Sequence, residues 1–199
     1  MTNEVRVYFD ACCFIDMAQL TLNLGLEKGR DDHAFFCKQF IDASRAKDTV
    51  VVTSTLTLAE CIAVKDFSKN ENDLSRKIAT DEIRRLFEMM ILSGTSGVMP
   101  YQQTPATTRK AVELSFDHRL TLGAMDRLHI ATALISKCTH LVTSDKYKNE
   151  ENIRIINGLG LVVCTADTIA HLLPDKYKQL SLTKAAQEKA EESKKKNTK

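Results

Sequence analysis

Much that would classify a chain at a glance is missing from these 199 residues. The six cysteines, Cys12, Cys13, Cys37, Cys61, Cys138 and Cys164, include no Cys-x-x-Cys pair. Most lie in apolar runs, where a thiol packs as a small hydrophobe, so reduced core residues are expected in place of zinc ligands or staples. No basic leader precedes an apolar segment and no apolar run is long enough to span a bilayer, so a cytoplasmic protein with no membrane partner is expected. Neither sign of charge dominates. The net charge is +2, of which Lys184 to Lys199, with six lysines against three glutamates, contributes +3 and leaves −1 for everything before it. No globally basic body therefore advertises nucleic acid, and such a substrate would have to be held by local groups and a metal. Gly-x-x-x-x-Gly-Lys is absent, which counts against a phosphohydrolase acting on small nucleotides. There is no internal repeat.

What is present is ample apolar material, 43% of residues against 27% charged, for one sizeable core. One domain is expected over residues 1–174. Beyond Pro174 the chain turns polar, and 175–199 reads as a lysine-rich, flexible tail. Strand-like segments fall at Val5 to Phe9, Val50 to Thr53, Leu141 to Thr143 and Leu161 to Cys164. Helical patterns separate them, which argues for a parallel sheet with helices on both faces. Phe36, Phe40, Ala43 and Ser44 share one helical face, and Leu56, Ala59, Ala63 and Val64 another. Ile83, Leu86, Phe87, Met90 and Ile91 mark the clearest amphipathic helix, and Leu128 to Ile135 reads as a helix buried against the sheet. Leu22 to Asp32 and Asp66 to Arg76 read as loops.

In an open parallel sheet ligands collect at the carboxyl ends of the strands, and acids fall there. Asp10 ends the first strand, and Asp145 ends the segment Leu-Val-Thr-Ser-Asp. Asp126 opens the buried helix, and Glu60 follows the second strand. Carboxylates crowded into one crevice raise one another's pKa unless a cation neutralises them. A hard divalent ion with oxygen ligands, Mg2+ or Mn2+, is the natural resident, and it equips a site for phosphodiester hydrolysis. Each acid also has a local alternative. Asp10 or Asp145 serves equally as a helix cap, Asp126 as a complement to a helix dipole, and Thr57-Leu-Ala-Glu60 matches a capping box.

Taken together, four segments resemble the PIN-domain family over roughly Val5 to Leu173. They are Tyr8-Phe9-Asp10-Ala11-Cys12-Cys13-Phe14-Ile15, Ser54 to Glu60, Asp126-Arg127-Leu128-His129-Ile130-Ala131-Thr132-Ala133-Leu134, and Leu141-Val142-Thr143-Ser144-Asp145-Lys146. The resemblance implies a three-layer α/β/α fold with a mostly parallel central sheet. It implies a metal-dependent endoribonuclease leaving 3′-hydroxyl and 5′-phosphate ends, with Asp10, Glu60, Asp126 and Asp145 as catalytic metal-holding acids. Many such domains are toxins held by a small antitoxin, and a homodimer is a further expectation. The alternative is a catalytically silent scaffold of the same fold that binds RNA or protein. Two positions depart from the family pattern: Ala11 stands where Thr or Ser is frequent, and Arg127 where a small residue is usual.

Arg127, His129, Ser144 and Lys146 form an outer set of candidate supporting or substrate-binding residues. His129 shares a helix face with Asp126, which would let the two share a metal, but since a magnesium-type site prefers oxygen it reads as a packing histidine or one supporting the acids. Asp16 reads as a solvated surface acid. Arg84, Arg85, Arg109, Lys110, Arg119, Lys28 and Arg30 are candidate contacts to a phosphate backbone.

Overall fold

In the computed structural model the described residues are 5–22, 26, 29–63, 73–144 and 149–178, the side chains of 63 and 73–80 excepted. Five strands form one all-parallel sheet: β1 (Arg6–Phe9), β2 (Val50–Ser54), β3 (Val98–Tyr101), β4 (His140–Val142) and β5 (Val162–Cys164), in the order β3-β2-β1-β4-β5. Seven α-helices occur among the described residues: α1 (Ala11–Thr21), α2 (Asp31–Arg45), α3 (Thr55–Ala63), α4 (Asp73–Leu92), α5 (Pro105–Phe116), α6 (Ala124–Ile135) and α7 (Glu150–Gly158). The expected three-layer parallel architecture is the one observed.

Alternation along β1 creates the two cores, because successive strand side chains point to opposite faces. Val7 and Phe9 join Val51, Phe14, Phe40 and Phe87 under α1, α2 and α4, while Tyr8 joins Val52, Leu141, Ile130 and Leu114 under α5 and α6. The amphipathic stripe of α4 is buried as expected at Ile83, Phe87 and Ile91.

The strand the sequence reading omits is β3, whose Val-Met-Pro-Tyr lacks a β-branched run. Among the described residues it pairs only with β2, and the edge position tolerates Pro100, which has no N–H to donate. Just before it, Gly97 (φ 83°) passes so close to α2 that a Cβ there would lie 2.7 Å from the Ile41 carbonyl oxygen. The expected apolar face of α3 also needs correcting, since Ala59 is exposed while Thr57 and Cys61 are buried. Val64 lies outside the described residues, as does most of the segment read as the loop Asp66 to Arg76, whose last four residues belong to α4.

Residues 175–178, placed by the sequence reading in the tail, stand against the body. Tyr177 packs on the core and donates to Asp48 Oδ2 at 2.9 Å, and Lys176 pairs with the same carboxylate at 2.5 Å. No helix among the described residues is long and apolar enough to cross a membrane.

Candidate active site

The helices that follow β1 and β4 leave on opposite faces of the sheet, so a crevice opens between the carboxyl ends of these neighbours. Asp10 stands at its floor. It is the N-cap of α1, with Oδ1 accepting from the Ala11 amide at 2.8 Å and Oδ2 from the Thr143 hydroxyl at 2.9 Å. The cap reading and the site reading therefore describe one residue. The hydroxyl that Ala11 lacks arrives from across the crevice, from the end of β4.

Glu60 does not close a capping box on Thr57. Helix α3 starts at Thr55, the Ser54 hydroxyl accepts from the Leu56 amide at 3.1 Å, and Thr57 is already inside the helix, bonded to Thr53. Glu60 is freed to cross to α6, where Oε2 meets His129 Nε2 at 2.6 Å. Ligand atoms of Asp10, Glu60 and His129 all lie within 4.8 Å of one another.

His129 is 2% exposed, and its Nδ1 lies 2.6 Å from the Tyr8 hydroxyl. An ionised carboxylate only accepts, so Nε2 carries a proton toward Glu60 and Nδ1 receives the Tyr8 hydroxyl when the ring is neutral. His129 thus orients Glu60 and offers no lone pair to a cation in this arrangement, as supporting histidines do around metal carboxylates. Tyr8 was missed by the sequence reading. Its only signal is register, because the residue preceding Phe9-Asp10 must face α6.

Asp126 stands one turn before His129 on α6 with Oδ2 accepting from the Gly123 amide at 3.2 Å. A Cβ at Gly123 would come within 3.1 Å of that oxygen, so the glycine makes room for the carboxylate. Asp126 is outside the close trio, although its charge reaches His129. Asp145 and Lys146 lie outside the described residues. Arg127 donates to the Leu122 carbonyl and pairs with no carboxylate among the described residues. Ser144 receives Arg30 on its hydroxyl and gives its amide to Cys12 Sγ at 3.1 Å.

Asp16 corrects an expectation. It is fully buried, because Arg30 reaches it through Nε at 3.0 Å, and His33 Nε2 stands 3.9 Å away. Two other candidate phosphate contacts are engaged elsewhere: Arg84 pairs with Glu88 at 3.0 Å and Lys110 with Glu113 at 2.5 Å. Gln103, also unforeseen, ties the end of β2 to α6 by donating to Ser54 Oγ at 2.7 Å and Thr132 Oγ1 at 3.1 Å.

The electrostatics favour a cation. Burial raises the Asp10 carboxyl above its ordinary value, against the pull of His129 and the bonds from Ala11 and Thr143. Burial alone would depress His129, but the bond to Glu60 and the charges of Asp10, Glu60 and Asp126 outweigh it and raise its pKa. Tyr8 is pushed well up by burial and keeps its proton. Positive charge is thus what the acids attract, and carboxylate oxygens suit a hard divalent ion.

A second trio, Cys12, Cys13 and His33, also clusters within 4.8 Å. The Ala166 amide donates to His33 Nδ1 at 3.1 Å, so the neutral ring keeps its proton on Nε2, 3.6 Å from Cys37 Sγ. Neither nitrogen offers a lone pair, and burial raises the Cys13 and Cys37 thiols. These groups pack as core.

A family model described as the PIN domain matches residues 7–149. No curated protein and no solved structure matches the chain.

Proposed function

The chain belongs to the PIN-domain family, whose members are generally metal-dependent nucleases, and from that premise we propose that it is an endoribonuclease using Mg2+ or Mn2+. The observation that carries this reading is the convergence of Asp10, Glu60 and His129 within 4.8 Å at the crevice.

In this reading Asp10 and Glu60 hold the ion, joined by Asp126 and Asp145. When bound, the ion lowers the pKa of water and neutralises charge on a phosphoryl group. The protein's own part is positional and protonic. Thr143 and the Ala11 amide fix both oxygens of Asp10. Tyr8 fixes the His129 ring, and His129 fixes Glu60 so that its carboxylate can take a proton from the attacking water. Burial of Asp10 strengthens every electrostatic interaction made there. With Asp10, Glu60 and Asp126 in hydrogen-bonded positions, the site supports the enzyme over the silent scaffold.

The same reading places the protein in the cytoplasm, with residues 1–174 as the nuclease unit and RNA as substrate. A small antitoxin partner and a homodimer follow from the toxin members of the family. The decisive experiment is a panel of labelled RNA, DNA and free nucleotides incubated with Mg2+, Mn2+ or a chelator. Internal cleavage of RNA alone, abolished by the chelator, is the expected result. Cleavage of free nucleotides without RNA cleavage would overturn it.

A further inference from the structure

A buried carboxylate persists only where it is paired, because desolvating an ion costs more than a surface pair returns. Asp16 has no exposure at all, and its partner Arg30 lies outside α1, at the residue that precedes α2. The Arg30 side chain is 25% exposed and reaches in two directions. Nε and Nη2 meet Asp16 Oδ2 at 3.0 and 2.9 Å, and Nη2 also donates to the Ser144 hydroxyl.

Ser144 and Thr143 end the β4 side of the crevice. The Ser144 amide rests on Cys12 Sγ at 3.1 Å, and the same sulfur lies 3.4 Å from the Thr143 hydroxyl that fixes Asp10. A continuous path thus runs from Asp16 through Arg30, Ser144 and Thr143 to the buried acid.

We propose that Arg30 is a positioning residue for the nuclease site: held by Asp16, it pins the end of β4 through Ser144 so that Thr143 keeps Asp10 in its reactive orientation. This rests on the nuclease reading above. Arg30 touches neither substrate nor metal in this role, and its planar fork is what lets one side chain serve two acceptors. Lysine offers the charge without the fork. Alanine would take the guanidinium away from a fully buried carboxylate and is a poor probe, since the fold itself would suffer.

The test uses the full chain with Ser144→Ala, Arg30→Lys and the double variant. Ser144→Ala keeps the Asp16 ion pair, so its melting temperature should stay near wild type. At saturating RNA and Mn2+ each single variant should turn over about tenfold more slowly with KM unchanged, the scale expected when a reacting group is slightly displaced. The double variant should be no slower than the slower single one, because both cut the same path. Hydrogen exchange of the residue-144 amide, followed without metal or RNA, should quicken about tenfold in both single variants. Wild-type exchange and turnover in Ser144→Ala would overturn the proposal, as would losses that multiply in the double variant. If the wild type cuts no RNA, the nuclease reading fails, and the exchange rates still decide whether Arg30 pins the strand end.

Discussion

Replacing Asp10 by Asn tests the electrostatics of the crevice without disturbing its shape. The isostere keeps an oxygen for the Ala11 amide, and its nitrogen faces the Thr143 hydroxyl, which can accept and turn its own proton toward Cys12 Sγ 3.4 Å away. Two charge-assisted bonds become neutral ones, a loss of about 1 kcal/mol each. The desolvation penalty of a buried ion, of several kcal/mol, disappears with the charge. The second effect is larger, so the metal-free variant should be as stable as wild type or about 1 kcal/mol more stable at pH 7, a rise of some 2–4 °C. The pH dependence carries a sign. Asp10 and His129 both hold protons more tightly folded than unfolded, so the stability these two groups contribute is full below the ordinary carboxylate value of 3.8. It declines as pH rises through the raised Asp10 value, and again through the raised His129 value. The variant lacks the first decline, so the gap between the two proteins should be near zero below pH 3.8 and open above it. Mn2+ should reverse the order, adding about 2.7 kcal/mol to wild type at a hundred times its dissociation constant and little to the variant. Urea unfolding across pH, with and without Mn2+, reads both effects. A variant less stable than wild type at pH 7 without metal, or one gaining equally from Mn2+, would refute the reasoning.

Tyr8→Phe removes the hydroxyl from His129 Nδ1 and leaves a buried acceptor unsatisfied, so urea unfolding should show a loss of about 1–3 kcal/mol. Its cleavage kinetics should lose kcat with KM unchanged, because Glu60 is oriented through that ring. Arg127→Ala loses a bond to the Leu122 carbonyl and no carboxylate contact among the described residues, so RNA affinity and the Mn2+ midpoint should stay near wild type while stability falls by about 1 kcal/mol. Deleting Lys184 to Lys199 should spare turnover on a short RNA but weaken binding at low salt, a loss that shrinks as salt rises because phosphate neutralisation releases counterions.

The sheet was legible where its strands carry β-branched or aromatic apolar runs. β1, β2 and β4 in the middle of the sheet and β5 at one edge all carry such runs, whereas β3 is held at the other edge by pairing to β2 and has no local signature beyond Val98 and Tyr101. Asp10 and Asp126 could be picked out from their places at the start of α1 and α6. Glu60 was legible only through the order of motifs, since its local pattern matched a cap that α3, starting two residues earlier than Thr57, does not use. Asp16 was misread because a single acid in an apolar helix says nothing of a partner fourteen residues later. Tyr8 and Thr143 act across the fold, joining residues 121 and 133 positions apart, and no sequence window contains both ends of either bond.

The most direct test of the carboxylate site is a single-turnover cleavage assay on one labelled RNA with Mn2+, comparing wild type with Asp10→Asn, Glu60→Gln and Asp126→Asn, each checked for fold by circular dichroism. The account predicts metal-dependent cleavage by wild type and a loss of about a hundredfold or more in every variant, the cost expected when a group acting on the reacting atoms is removed. Wild-type rates in a folded Asp10→Asn or Glu60→Gln protein would contradict it.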